Sequence, residues 1–271
     1  MIPAKFDYEV AESVDRAIEL LGSTDDAKLL AGGHSLLPLM KLRFAQPQLL
    51  VDIGRLSDLS YVREDGGGIA IGALTRHHDV ATDALLGRAN PLVASTAAGI
   101  GDPQVRHMGT IGGSVAHGDP AGDMPAVLVA LEAELVARGP NGERTIAAGD
   151  FFTGFLETAL GPQEVLTEIR VPKGDGVYLK FHRRAQDWAT VGVAVARSNG
   201  SARVALTHMG PTPIRAAGVE ESLASGADPA AAAERAAEGT SPPSDTAASA
   251  EFREHLARVL TRRALEQASG G

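Results

Sequence analysis

The chain contains no cysteine. Disulfides, thiolate zinc sites, a cysteine nucleophile and any iron–sulfur cluster held by this chain are therefore excluded. Basic residues are outnumbered: 25 Lys and Arg stand against 34 Asp and Glu, a formal net charge of −9. Nucleic acid is a poor partner for such a chain, because phosphate binding needs clustered Lys and Arg. No apolar run approaches the length of a membrane span. The first ten residues, MIPAKFDYEV, lack the basic-then-apolar order of a signal peptide. These absences predict a soluble cytoplasmic chain with no transmembrane segment. Aromatic residues make up only 4% of the sequence, so any aromatic beside a candidate site stands out.

Apolar material, by contrast, is ample. Hydrophobic residues are 44% of a 271-residue chain, enough for two domains or one large one. Val14, Ala17, Ile18 and Leu21 recur at helical spacing, and Gly22 stops the run. AKLLAGG reads as a short buried strand ending at glycines, and LLVDI as a second strand. Together they predict a small β–α–β–α–β unit over residues 1–53. YVRED-GGG-IAIGAL then predicts a hairpin across glycines. TRHHDVATDALL predicts one helix with Thr75 as N-cap, and NPLVASTAAGI another with Pro91 in its first turn. A long glycine-rich stretch runs from Gly99 to Pro125, followed by an apolar run and a hairpin turning at Pro140-Asn141-Gly142. EVLTEIRVP closes this region as an alternating strand. From Gly174 the sequence predicts three strands, the last two joined at Asn199-Gly200. An Ala-rich helical tail, broken by SPPSD, ends in the amphipathic helix AEFREHLARVLTRRALEQA. This is a reading of three modules, with boundaries near 53 and 174.

Two loops carry the chemistry. Ala31-Gly32-Gly33-His34-Ser35 interrupts an apolar region. Glycine permits positive φ and close approach of the backbone, and successive amides in such a turn form an anion-binding nest. Ser35 adds a hydroxyl donor. A following helix would add its N-terminal dipole, although Pro38 interferes with the pattern. A tight strand–loop turn explains the same letters, and the loop is not G-x-G-x-x-G. The second loop repeats the theme as Thr110-Ile111-Gly112-Gly113-Ser114, then supplies Asp119 and Asp123. Amides beside a carboxylate suit a nucleotide, the amides taking pyrophosphate and the acid taking ribose hydroxyls. Turn chemistry is the better account of Asp119; Asp123 fits either role. A ligand lying between the first two modules would explain both loops together.

In this order and spacing, AGGHSLLPLMKLRF and GTIGGSVAHGDPAGDMPA resemble the FAD-binding medium subunit of molybdenum hydroxylases, the group that includes aerobic carbon monoxide dehydrogenase medium chains and, more distantly, xanthine dehydrogenase FAD domains. The resemblance covers essentially the whole chain, including RRAQDWATVGVAV. It implies an α+β fold with a vanillyl-alcohol-oxidase-type (PCMH-type) FAD domain of two α/β subdomains, about 1–53 and 54–173. A C-terminal α+β domain, 174–271, would carry a three-stranded antiparallel sheet with helices. It also implies FAD as cofactor, with pyrophosphate on Ala31, Gly32, Gly33, His34, Ser35 and Leu36, and further contacts at Thr110, Ile111, Gly112, Gly113 and Ser114. Asp123 would lie near the adenosine ribose; Ile100, Leu166 and Lys180 match cofactor-contacting positions. Trp188, the only tryptophan, would lie near the flavin ring, against the alternative of an ordinary core or interface tryptophan.

The implied function is electron transfer. A large molybdopterin-bearing subunit and a small 2Fe-2S subunit, assembled as a dimer of heterotrimers, would feed electrons to FAD here, and a quinone, NAD or another acceptor would take them. The complex could sit peripherally at the inner face of the membrane. Carbon monoxide, a nicotinate-like heterocycle and an aldehyde all fit as its substrate, because that pocket lies on another chain. The alternatives are a nucleotide-binding assembly module without redox activity and a self-contained flavin oxidase. No catalytic side chain and no metal site are expected. His77-His78 are adjacent and diverge on a helix, and His34 and His117 lack a nameable third ligand. Ser35 and Ser114 lie in no nucleophile elbow, and Arg183-Arg184 read as a local salt-bridge or subunit contact.

Overall fold

The computed structural model describes residues 1–198 and 201–269. The first unit is a three-stranded parallel sheet in the order β1-β3-β2: β1 (Asp7–Val10), β2 (Ala27–Leu30) and β3 (Leu49–Asp52). Helices α1 (Val14–Leu21) and α2 (Leu36–Leu42) make the crossovers that parallel pairing requires. Ser13 caps α1 by accepting from the Arg16 amide, and Gly22 ends it. The buried face of α1, Val14, Ala17, Ile18 and Leu21, packs with Val51 and with Val165 of the next unit. The AKLL strand departs from expectation: it is an edge strand and only half buried, because Leu29 and Leu30 line a cavity, Leu29 packing also against the core of the first unit.

The second unit is a five-stranded antiparallel sheet ordered β4-β5-β10-β6-β7. β4 (Val62–Asp65) and β5 (Gly68–Gly72) form the glycine hairpin. The TRHHDVATDALL segment is two helices, α3 (His77–Thr82) and α4 (Ala84–Ala89), because Asp83 caps the second by accepting from the Leu85 and Leu86 amides. Thr75 is not the N-cap; its hydroxyl donates to the Gly72 carbonyl, 2.7 Å away, and pins a loop. α5 (Pro91–Ala98) starts at Pro91 as expected. The stretch from Gly99 to Pro125 contains two short helices, α6 (Pro103–Met108) and α7 (Ile111–His117), and the start of α8 (Asp123–Ala130). Asp102 and Thr110 cap α6 and α7, which is how glycine-rich sequence becomes helical. β6 (Glu134–Gly139) and β7 (Gly142–Ala147) follow, then α9 (Ala148–Phe151), the small hairpin β8 (Phe152–Gly154) and β9 (Glu157–Thr158), and the central strand β10 (Val165–Pro172).

β10 does not alternate buried and exposed; Val165 through Ile169 are all buried. Its pairing with β6 slips by one residue at Thr167, between Leu166↔Ala137 and Glu168↔Val136. Such a bulge re-aims neighbouring side chains. Val165 joins the α1 cluster, whereas Leu166 and Ile169 join the α8 cluster. Glu168 is buried beneath Tyr61, Arg63 and Arg170, at 2.5, 2.7 and 2.6 Å.

The third unit holds β11 (Asp175–Phe181), β12 (Val191–Ser198), β13 (Ser201–Thr207) and a two-residue fourth strand, β14 (Ile214–Arg215), which the three-strand expectation lacks. The predicted Asn199-Gly200 turn lies outside the described residues. Helices α10 (Ala217–Ala224), α11 (Pro229–Ala233) and α12 (Ala250–Ser269) complete it. Period-2 patterning on β12 explains its place between two helices. Val191, Val193 and Val195 face Leu256, Leu260 and Leu265 of α12. Ala194 and Ala196 face α8, and their small side chains let that helix come close. Each fully buried valine contributes about 1.5–3 kcal/mol.

Candidate functional site

A cavity of about 820 Å³ is lined by the first and second units and by part of the third. That size suits a cofactor or a drug-sized ligand. Of the residues expected from the sequence, Ala31, Gly32, Gly33, His34, Ser35, Leu36, Ile100, Thr110, Gly112, Gly113, Ser114, Asp123, Leu166, Lys180 and Trp188 all line it. Ile111 does not: its side chain is fully buried in the core.

In the first loop, no acceptor among the described residues takes the amides of Gly32, Gly33, His34 and Ser35, whereas the Leu37 amide already bonds Gly33. Gly33 sits at φ +76°, a conformation that favours glycine. The Ser35 hydroxyl makes no cap bond within α2. Pro38 is tolerated because first-turn amides have no helical partner to lose. Four amides without an acceptor among the described residues thus sit on one turn that lines the cavity, an arrangement suited to an anion.

The second loop is built differently. The Ile111 amide bonds Thr75, Gly112 bonds Ala73, Gly113 bonds the Thr110 hydroxyl, and Ser114 bonds Thr110. These donors are spent holding α7 against the end of β5, so the loop is a wall and not a second nest. The glycines serve this packing. A Cβ on Gly112 would meet Ala73 Cβ at 2.5 Å and the Ala73 carbonyl oxygen at 2.6 Å. The Gly32 glycine has a similar reason: a Cβ there would meet the Met108 carbonyl oxygen at 2.2 Å. Gly32 is thus small so that the two loops can touch, a correction to the view that a ligand alone demands it.

Asp123 has both oxygens engaged. Oδ1 accepts from the Tyr178 hydroxyl at 2.8 Å and Oδ2 from Lys180 Nζ at 2.6 Å. Lys180 also donates to the Gly99 carbonyl at 2.9 Å. Burial pushes the Asp123 carboxyl up, against the pull of Lys180 and Tyr178. Gly192 makes the reach possible, since a Cβ there would lie 2.2 Å from the Tyr178 hydroxyl. β11 is thereby tied to α8 and to the end of α5. Asp119 does turn chemistry, accepting from the Ala121 amide at 2.9 Å. Trp188 is 71% exposed at the cavity's edge, which removes the core-tryptophan alternative. Of the Arg pair, Arg183 donates to the Thr246 carbonyl.

His34 and His117 both line the cavity, as their loops suggested. Burial pulls the His117 imidazole down, partly offset by Asp119. The sequence reading missed His77, set aside there with His78 as a metal pair. It lines the cavity, is 3% exposed, and its imidazole is pulled down to about 4 by burial, with Arg106 and His34 adding to the effect. Its place after a strand and next to a helix start gave no signal of this, because the segment packed against its ring, at Gly109, lies 32 residues away in sequence.

Two family models match end to end along the chain: an FAD binding domain in molybdopterin dehydrogenase over residues 4–174, and a CO dehydrogenase flavoprotein C-terminal domain over residues 176–268. The carbon monoxide dehydrogenase medium chain of Hydrogenophaga pseudoflava is 44% identical, over 99% of this chain and 98% of the relative. The glyceraldehyde dehydrogenase medium chain of Sulfolobus acidocaldarius is 39% identical, over 98% and 99%. A solved structure of carbon monoxide dehydrogenase from Hydrogenophaga pseudoflava superposes with a TM-score of 0.95 at 44% identity, covering 100% of this chain and 99% of that one.

Proposed function

The chain belongs to the FAD-binding medium-subunit family of molybdenum hydroxylases, and on that premise we propose that it relays electrons from 2Fe-2S clusters on a small partner subunit to an external acceptor. It is a flavoprotein subunit of an oxidoreductase, with the PCMH-type fold of its relatives. In the proposal, a large molybdopterin subunit oxidises the substrate, the assembly is a dimer of heterotrimers in the cytoplasm, peripheral at the membrane's inner face, and a quinone, NAD or another acceptor takes the electrons. Bound FAD supplies the redox chemistry, accepting and releasing electrons at its ring.

The chain's own residues bind and orient. The observation that carries this reading is the row of four unpaired amides, Gly32 to Ser35, on the wall of an 820 Å³ cavity. They suit the pyrophosphate, with Ser35 as a further donor. Thr110, Gly112, Gly113 and Ser114 form the facing wall, Ile111 backs it from the core, and Leu36, Ile100 and Leu166 give apolar contact. Asp123 and Lys180 hold β11 against the cavity, and an Asp123 oxygen can accept a ribose hydroxyl besides its present donors. Exposed Trp188 covers the ring side and limits access to it. Residues 1–173 form the FAD-binding part in this reading, and 174–271 the C-terminal domain. No helix among the described residues is long and apolar enough to cross a membrane. The test is an absorption spectrum of the purified chain. Flavin bands that bleach with dithionite are expected; a colourless protein that cannot be reconstituted with FAD rejects the proposal.

A further inference from the structure

His77 is a buried titratable group on the cavity wall with no part in the proposed function. Its backbone amide bonds the Gly109 carbonyl at 3.0 Å. Its ring makes no such bond. Nδ1 is enclosed by protein and has no hydrogen-bond partner among the described residues. Nε2 likewise has no partner among the described residues, yet it is not enclosed, and His77 is part of the cavity lining. Nε2 lies on the ring edge beside Gly109, which also lines the cavity, and so is the nitrogen placed to reach it. The reason there is room is Gly109: a Cβ on it would stand 3.0 Å from His77 Cδ2 and 3.5 Å from Nε2. A Cβ on Gly32 would in turn stand 2.8 Å from Gly109 Cα. The imidazole edge, Gly109 and the first of the free amides form one continuous row.

The position of the proton follows from cost. A proton on Nδ1 would leave an enclosed donor unsatisfied. A proton on Nε2 leaves only a lone pair enclosed and points the donor at the cavity. Burial keeps the ring neutral, with the imidazole pulled down to about 4. The basic side chains that act on it are Arg106 and His34. Arg106 is itself anchored to the Ile100 and Gly101 carbonyls, at 3.0 and 3.2 Å. A lone N–H donor in a basic surrounding selects an anionic acceptor.

We propose that His77 is a cofactor-binding residue whose Nε2–H donates to a phosphate oxygen of FAD held on the Gly32–Ser35 amides. This rests on the FAD reading of the cavity. It extends the cradle from a strip of backbone to a side chain on the opposite unit, so that the phosphates bridge the two.

Binding of FAD and of ADP to the full-length chain tests it, by calorimetry on wild type, His77→Phe and His77→Gln. Phe fills the ring's volume without a donor; Gln can place an amide N–H near the Nε2 position. The expected result is a loss of roughly ten- to hundredfold for both ligands in His77→Phe, the span of a hydrogen bond to a charged group, with partial recovery in His77→Gln. Equal affinities in wild type and His77→Phe overturn the assignment while leaving the FAD reading intact. A wild type that binds neither ligand overturns both. If His77→Phe fails to fold, nitrogen NMR of the wild-type imidazole decides instead. An Nε2–H tautomer whose resonance moves when ADP is added supports the bond; an Nδ1–H tautomer, or a resonance that stays put, overturns it.

Discussion

The two glycine loops share a pattern of small residues and do opposite work. Around Gly32-Gly33, four amides have no partner among the described residues. Around Gly112-Gly113, the corresponding amides are bound to Thr75, Ala73 and Thr110. The first loop offers donors; the second spends them to build the surface that faces the first. A Gly-Gly pair thus signals close approach, but the approaching object differs. At Gly112 it is Ala73, at Gly32 it is the Met108 carbonyl, and at Gly33 a positive φ is the requirement. What separates donor from wall is the hydrogen-bond inventory, which letters alone do not contain.

The sharpest way to break this contrast is Gly112→Ala. The added methyl meets the Ala73 Cβ and carbonyl oxygen at 2.5 and 2.6 Å, with no flexible side chain to yield. About 3 kcal/mol of stability should go, at the upper end for overpacking, read as a lowered denaturation midpoint. Unchanged melting would mean that the second loop is not a packed wall.

Next in size is an acid effect at His77, which sits behind the point where the loops meet. Its folded pKa lies at about 4, below the ordinary 6.5, so the fold favours the neutral ring. That contribution is complete above pH 6.5 and is lost as pH falls toward 4, up to about 3 kcal/mol for the ligand-free chain. His117 shifts in the same direction and adds to the slope. Denaturation midpoints of His77→Phe across this window should fall less steeply than those of wild type. Parallel slopes would show that the ring is not held neutral.

Gly33→Val should cost only about 1–2 kcal/mol, the cost of a left-handed conformation in a residue with a Cβ, because the nearest obstacle is the exposed, yielding Leu37 side chain. FAD retention should fall far more, since the amides lose their alignment. Retained flavin in Gly33→Val would dissolve the distinction between the loops. Smallest is Trp188→Ala. At 71% exposed, Trp188 should change stability by less than about 0.5 kcal/mol, while the flavin emission of the loaded chain changes if the ring lies beside it. An unaltered spectrum would remove Trp188 from the site.

Much of the fold was legible because it rests on local rules. Helix α1 announced itself by period and by Gly22, and the β6–β7 turn by Pro140-Asn141-Gly142. The errors share one cause. Thr75 looked like a cap, but tertiary contacts engage its hydroxyl elsewhere: it donates to the Gly72 carbonyl and accepts from the Tyr61 amide. The AKLL strand looked buried, but its neighbours form a cavity. EVLTEIRVP looked one-sided, but layers cover both faces of β10 and a bulge at Thr167 splits its side chains between two cores. His77 was weighed only as a metal ligand and dismissed, and its burial against Gly109 was not foreseen.

By itself, then, the sequence determined the family and which two loops to look at, because glycine placement and motif spacing are written residue by residue. Only the tertiary structure decided which amides stay free, which oxygens of Asp123 are taken and which histidine is enclosed. Those are properties of unpaired groups, and a group is unpaired only relative to everything the fold brings within about 3 Å of it.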